Sequence, residues 1–185
     1  MENSDLISYI NSCQNNLITS NALIYEASFF KIYVKFEKYL ATVFSNYCIG
    51  IQSSKDYLPE RKLMFIDEEH LNAVLKGGDK HYIDYIKKIE QLSKHIFIEN
   101  PFNIIFEVAD NLTAYNQMIV LRNHIAHESA ESKSKYTQMI LGKGEYIDPG
   151  QYLMKKNKKT SQTNYSFYIR KITEISELII EKPIV

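Results

Sequence analysis

The stretch ALIYEASFFKIYVKFEKYLATVFSNYCI, residues 22–49, decides the fold class. Two neighbouring apolar rows run along it at the alternating 4-3 spacing that places residues on one side of an α-helix. The first row is Leu23, Ala27, Phe30, Val34, position 37, Ala41, Phe44 and Cys48. The second row is Phe29, Ile32, Phe36, Leu40, Val43 and Tyr47. A helix that is apolar over so much of its circumference is central or packs on two partners at once, so we predict a long central helix that ends at Gly50.

Weaker helical patterns surround this stretch. We predict core helices over about 5–19, 22–49, 80–97, 104–128 and 165–181, and a short helix from an Asp67 N-cap to Lys76. Six glycines and four prolines in 185 residues are far fewer than the roughly 22 of average usage, which disfavours an all-β fold with many tight turns. The predicted fold class is all-α: an up-and-down helical bundle in a single domain, residues 1–185, with at most one short strand or extended segment near 62–66.

Three segments between these helices are predicted to be irregular or short. Residues 129–135 are small and polar and are predicted as a break in the helical structure. Residues 136–141 could add one or two helical turns, and residues 142–150 are predicted as a loop. Residues 155–163 form a polar, basic stretch.

Composition excludes several function classes. Lys plus Arg is 22 and Asp plus Glu is 22, so the chain lacks the broad basic field of a protein that coats nucleic acid, although a small shaped site is still compatible. Two cysteines are too few for a disulfide framework. The sequence has neither an apolar run of about 18 residues nor the basic start and apolar core of a signal peptide. We therefore expect a soluble, reduced, cytoplasmic protein with no membrane association.

Each of the two longest helical patterns carries one charged residue within an apolar row. The residue is Glu37 in the first pattern and Arg122 in the second. An unpaired buried charge is costly, so each side chain needs a partner, water or a ligand. One interpretation is a Glu37–Arg122 ion pair that fixes the register of two helices. A functional site is equally compatible with such a pair, because buried pairs also build sites.

The sequence RNHIAHE, residues 122–128, contains a recognisable motif. Arg122-Asn123, three further residues and then His127 resembles the Arg-polar-x3-His motif of the HEPN superfamily, the higher eukaryote and prokaryote nucleotide-binding domains. In that family the motif lies on a late helix of an all-α bundle, usually as R-N-x-x-A-H, and Ala126 fits this form. The earlier stretch FEKYL, residues 36–40, resembles the family's helix with an aromatic–acidic pair. The resemblance covers about residues 22–49 and 104–129.

The resemblance implies a metal-independent endoribonuclease without a cofactor, often the toxin of a toxin–antitoxin pair or a phage-defence effector. It also implies a homodimer in which two Arg–His motifs meet, with RNA as substrate and an antitoxin or defence protein as a candidate partner. The catalytic residues would be Arg122, Asn123 and His127, supported by Glu37 and His124. The chain lacks the x-Tyr that follows the His in the branch paired with nucleotidyltransferases, which disfavours that partner.

The residue types suit this chemistry without the family name. RNA cleavage by its own 2′-OH needs a base, an acid and stabilisation of charge on the phosphate. Histidine is a common proton-transfer side chain, so His127 can act as base or acid, and Arg122 can bind two phosphate oxygens at once. At 3.6 residues per turn the two are offset by about 140° on one helix. One chain therefore aims them poorly, which favours a composite site across a two-fold axis.

Other interpretations remain open at this point. His124 and His127, with Glu128, could be metal ligands, although no further ligand pair has matching spacing. A basic run could guide RNA or could be a solvated loop: Lys155, Lys156, Lys158 and Lys159. The rival function is a non-catalytic HEPN-like dimeric module that binds a protein partner or a nucleotide, with Glu37 and Arg122 in structural roles.

Overall fold

The computed structural model of the chain describes residues 2–17, 21–76, 86–156 and 161–183. Within these ranges the backbone forms α-helices and no strand. The helices are α1 Ser4–Asn15, α2 Ala22–Cys48, α3 Glu68–Lys76, α4 Ile86–Ile96, α5 Asn103–Phe106, α6 Ala109–His127, α7 Ala130–Met139, α8 Pro149–Met154 and α9 Asn164–Leu178. The predicted all-α class is confirmed. None of the described helices combines the length and apolar character that a membrane crossing requires.

Helix α2 is the centre of the fold, as its two apolar rows predict. It packs against α1, α3, α4, α6, α8 and α9. Its second row is fully buried from Phe29 to Tyr47. The first row is buried only at its C-terminal end, since Phe44 is buried whereas Leu23 is 68% exposed. The helix starts at the Asn21 N-cap, whose side chain accepts a hydrogen bond from the backbone N–H of Leu23, and it ends close to Gly50 as predicted.

The segment near 62–66 contains bends and forms no strand. Arg61 and Phe97 make an isolated antiparallel bridge, and the backbone N–H of Lys62 donates to the carbonyl of Ile96 at 2.7 Å. The predicted Asp67 N-cap is confirmed, because its side-chain oxygen accepts from the backbone N–H of His70 at 2.8 Å.

The predicted helix over 104–128 is in fact two helices, α5 and α6. Val108 between them has extended backbone, with φ −87° and ψ 109°. The side chain of Asn111 reaches back across this break and donates to the carbonyl of Ile104 at 2.9 Å. No proline or glycine lies at the break, and the apolar spacing continues through it, so the sequence predicts one continuous helix.

The predictions for 129–135 and 142–150 are wrong in part. Ser129 is an N-cap rather than a helix breaker: its hydroxyl accepts from the backbone N–H of Ser132, and α7 follows. Pro149 occupies the first turn of α8, where a proline needs no backbone donor. Gly150 packs so closely on the start of α2 that a Cβ atom there would collide with the Ala22 backbone. The starts of α7 and α8 contain serine, proline and glycine, which also favour loops, and this explains why the sequence pattern predicts a break and a loop there.

The remaining helix ends differ modestly from prediction. Helix α1 ends at Asn15, and residues 18–19 of the predicted helix lie outside the described residues. Residues 80–85 of the predicted helix over 80–97 also lie outside them, and α4 is described from Ile86. Helix α9 begins at Asn164, where the Thr163 side chain caps it, and ends at Leu178 rather than at residue 181.

Candidate functional site

The predicted ion pair between α2 and α6 is present. Arg122 Nη2 lies 2.7 Å from Glu37 Oε2, and Arg122 Nη1 donates to Asn123 Oδ1 at 2.8 Å. The side chains of Arg122 and Glu37 are each 29% exposed. The pair thus lies at the edge of the α2–α6 contact, where a solvent-borne ligand can reach the guanidinium.

Two buried tyrosines lie beneath this pair. Tyr33 and Tyr115 are almost fully inaccessible, and the Arg122 guanidinium lies 6.0 Å from the centroid of the Tyr33 ring. Among the described residues, neither tyrosine hydroxyl nor Arg122 Nε makes a hydrogen bond of standard geometry, although the Tyr115 and Glu37 side chains are close enough to the Tyr33 hydroxyl to affect its pKa. Burial raises the pKa of Tyr33, and the Glu37 carboxylate raises it further. Burial likewise raises the pKa of Tyr115, with the neighbouring Tyr33 adding to the effect. Both phenols are therefore neutral hydrogen-bond donors at ordinary pH.

His127 is the last residue of α6 and its side chain is exposed. Within the described residues no hydrogen bond joins it to Arg122, Asn123 or Glu37. Arg122 faces α2 whereas His127 faces solvent, in agreement with their offset of about 140° on the helix. The next residue, Glu128, ends the helix in the left-handed conformation at φ 45°. A single chain therefore presents the two motif residues in different directions.

His124 has a different environment from His127. It is 4% exposed, its Nδ1 lies 3.2 Å from Ser132 Oγ, and its Nε2 lies 3.1 Å from the Tyr146 hydroxyl. Its ring stacks on Tyr136 with centroids 4.9 Å apart. Burial lowers the pKa of His124. These contacts hold α7 and the segment around Tyr146 against α6, so His124 supports the end of the motif helix.

The alternative of a metal site at His124 and His127 has no support in the geometry. Both ring nitrogens of His124 are already engaged by hydroxyl groups. In the part of the chain that the structure describes, no three His, Cys, Asp or Glu side chains are grouped so that they could hold a metal ion.

The basic run is only partly described. Lys155 and Lys156 are exposed and follow α8, whereas Lys158 and Lys159 lie outside the described residues. The carbonyl of Lys155 accepts from the backbone N–H of Asn164, so this part of the run is attached to the start of α9. The structure gives Lys155 and Lys156 no contact with Arg122.

Sequence reasoning missed a polar cavity next to the motif. A cavity of about 250 Å³ is lined by three carboxylates, Glu26, Glu128 and Asp148, together with His124, Lys133 and Tyr146. Burial raises the pKa of Glu26, whereas a hydrogen bond from the Gly150 backbone lowers it. The charges of the other two carboxylates raise it as well, and the net effect is a raised pKa. The carboxylates come from distant parts of the sequence, so no local spacing could have identified the group.

Sequence reasoning also missed Tyr33 and Tyr115, and here a signal existed. Tyr33 precedes Glu37 by four residues and Tyr115 precedes Arg122 by seven, so each shares a helical side with its charged neighbour.

No protein-family model, curated protein or solved structure matches this chain.

Proposed function

We propose that this chain is a metal-independent endoribonuclease of the HEPN type, acting as a toxin or a phage-defence effector. The observation that carries the proposal is the placement of the motif residues on α6. Arg122 is a partly exposed cation held by Glu37 and Asn123, and His127 is exposed at the end of the same helix. This is a charge-stabilising group and a proton-transfer group within six residues, which is what RNA cleavage by the 2′-OH requires.

The proposed chemistry uses no group beyond these side chains and the RNA. A neutral His127 accepts the proton of the 2′-OH, and the 2′ oxygen attacks the adjacent phosphorus atom. Arg122 stabilises the extra negative charge on the non-bridging oxygens, with Asn123 fixing the orientation of the guanidinium. The bond from phosphorus to the 5′ oxygen breaks, and a protonated His127 from a second chain gives its proton to that oxygen. The products are a 2′,3′-cyclic phosphate and a 5′-hydroxyl.

The second chain in this scheme comes from a homodimer. In the first apolar row of α2, Leu23 is 68% exposed, and Phe30 and Val34 are half-buried. Glu37 is the next residue of this row along the helix. A second copy on this surface would cover the row and bring two copies of His127 together. The zero net charge produces little long-range repulsion between copies. An obligate interface of this kind would bury more than about 2,000 Å² in total.

The dimer has two tests. Sedimentation at micromolar concentration should give twice the chain mass of 21.6 kDa, and a single-chain mass would contradict the proposal. Mixing inactive Arg122→Ala chains with inactive His127→Ala chains gives mixed dimers with a single His127. The scheme uses one His127 from each chain, so these dimers should stay inactive, and recovered activity would contradict this assignment of acid and base.

Cleavage of mixed RNA in the presence of EDTA tests the function itself. We expect wild-type protein to cleave RNA, and His127→Ala to lose at least about 100-fold in rate, the lower range of general acid–base contributions. His95 on α4 is also exposed, so His95→Ala is the matched control and should retain full activity.

One observation favours the rival function, a non-catalytic HEPN-like dimer that binds a protein partner or a nucleotide. In the free chain the Arg122 guanidinium is already engaged by Glu37 and Asn123, as a purely structural arginine would be. Wild-type and His127→Ala proteins that leave RNA equally intact at micromolar concentration would support this rival.

A further inference from the structure

The guanidinium of Arg122 has little donor capacity left for a ligand. Arginine carries five N–H donors. One N–H of Nη2 donates to Glu37, one N–H of Nη1 donates to Asn123, and Nε is buried without a partner among the described residues, so one N–H on each Nη is left for a ligand. A phosphate group bound by these two N–H groups would lie beside the Glu37 carboxylate, so the two anions repel each other and compete for the same cation.

A ligand that takes Arg122 would leave Glu37 without its partner. The carboxylate is only 29% exposed, so losing its cation is costly unless another donor replaces it. The hydroxyl of Tyr33 can supply this donor. This tyrosine precedes Glu37 by one helical turn on α2, it is fully buried, and its hydroxyl has no partner among the described residues. The guanidinium that pairs with Glu37 lies 6.0 Å from the centroid of the Tyr33 ring, so Tyr33 and Glu37 border the same cation.

Tyr115 completes the arrangement from the side of α6. Its hydroxyl is also buried without a hydrogen bond of standard geometry among the described residues, and its ring, like that of Tyr33, packs on Phe36. Tyr115 can donate to the Tyr33 oxygen while Tyr33 donates to the Glu37 carboxylate. A hydroxyl that accepts one hydrogen bond donates a stronger one, so this chain would hold the carboxylate in the absence of Arg122.

We propose that Tyr33, Glu37 and Arg122 form a latch, in which Arg122 exchanges Glu37 for a phosphodiester and the Tyr33 hydroxyl takes over the carboxylate. The identity of the anion rests on the proposed function, since RNA supplies phosphodiesters. Tyr33 is a positioning residue in this scheme, because it acts on the ligand only through Glu37. The latch accounts for two buried hydroxyls that otherwise lack partners among the described residues.

The test is a double-mutant cycle on ligand affinity rather than on cleavage. The probe is a fluorescent 2′-O-methyl RNA oligonucleotide, which cannot be cut by its own 2′-OH, and the readout is anisotropy. Tyr33→Phe should weaken binding about tenfold in a chain with Glu37, because the Glu37 carboxylate then has no replacement donor when Arg122 binds the RNA. In a Glu37→Gln chain the same tyrosine substitution should change nothing, since a neutral amide needs no replacement donor. Glu37→Gln alone should tighten binding, because Arg122 is no longer contested.

Tyr57→Phe is the matched control. Tyr57 is buried, its hydroxyl also lacks a partner in the described part of the chain, and its ring packs on Tyr47 at the C-terminal end of α2, away from Glu37. This substitution should leave affinity unchanged. Melting curves report whether each variant is folded, and the Glu37→Gln result stands even where Tyr33→Phe does not fold.

Three outcomes overturn the latch. Equal effects of Tyr33→Phe with Glu37 and with Gln at position 37 would show a merely structural tyrosine. Weaker or unchanged binding by Glu37→Gln would show that the carboxylate does not compete with the ligand. Wild-type affinity no greater than that of Arg122→Ala would show that Arg122 binds no phosphodiester. Cleavage of unmodified RNA by the wild type, measured in parallel, separates loss of the latch from loss of the proposed function.

Discussion

Replacing Arg122 with alanine should destabilise the chain as well as abolish cleavage. The change leaves the Glu37 carboxylate, 2.7 Å from Nη2 in the wild type, without its cation. Removing one partner of a fully buried pair costs about 3–5 kcal/mol, whereas an exposed pair contributes about 0–1 kcal/mol. Both side chains are 29% exposed, so water partly solvates the carboxylate, and in the proposed latch the Tyr33 hydroxyl also donates to it; the cost is therefore below that of a fully buried pair. We expect a loss of about 1–3 kcal/mol in the free energy of unfolding, or about 2–12 °C in Tm.

The assay is chemical denaturation followed by circular dichroism, with RNA cleavage measured on the same samples. Adding Glu37→Gln to Arg122→Ala removes the stranded charge, so the double variant should recover stability but not activity. Arg170→Ala is a matched control, because Arg170 is exposed on α9 and makes no ion pair within the described residues; it should change stability by no more than about 0.5 kcal/mol. Strictly additive losses from the two single substitutions would refute the reasoning, because additivity means that the residues do not interact.

Three further predictions concern the elements that support the motif helix. Gly150→Ala should lower stability by about 1–3 kcal/mol in thermal melts, because the new Cβ meets the Ala22 backbone; an unchanged Tm would show that α8 can move away from α2. Ser129→Ala should cost about 0.5–2 kcal/mol by removing the N-cap of α7, whereas Ser129→Asp should retain most of the stability in the same denaturation assay. Burial lowers the pKa of His124, so its contribution to stability is complete above the unfolded-state value of about 6.5 and is lost as pH falls below it. Tm should therefore fall more steeply between pH 7.5 and 5.5 in the wild type than in His124→Phe, and parallel profiles would exclude this cause.

The long helices were predictable because their apolar spacing is unbroken. The two apolar rows of residues 22–49 predict the end of α2 to within one residue. They do so because their residues lie in the core or on a partly covered surface of the helix. The break at Val108 was not predictable in the same way, because extended backbone at a valine leaves no mark in the apolar spacing. The sequence pattern predicts a break at Ser129 and a loop at Gly150, and only their three-dimensional neighbours identify them as a cap and a close contact.

The candidate site was predictable where one residue stood out against its helix. Glu37 and Arg122 are the charges within apolar rows, and their ion pair follows from the cost of burying either alone. The unpaired state of the Tyr33 and Tyr115 hydroxyls depends on packing between α2 and α6, so spacing alone could not reveal it. The cavity beside His124 depends in the same way on contacts between distant segments.

The central claim is that His127 and Arg122 cleave RNA through its own 2′-OH. The most direct measurement incubates one RNA oligonucleotide, and the same sequence fully 2′-O-methylated, with micromolar protein in EDTA, and identifies the product ends by mass spectrometry. We predict that the wild type converts the RNA to fragments ending in a 2′,3′-cyclic phosphate, leaves the methylated strand intact, and loses this activity in His127→Ala. Intact RNA with the wild type, or equal cleavage by wild type and His127→Ala, would contradict the account.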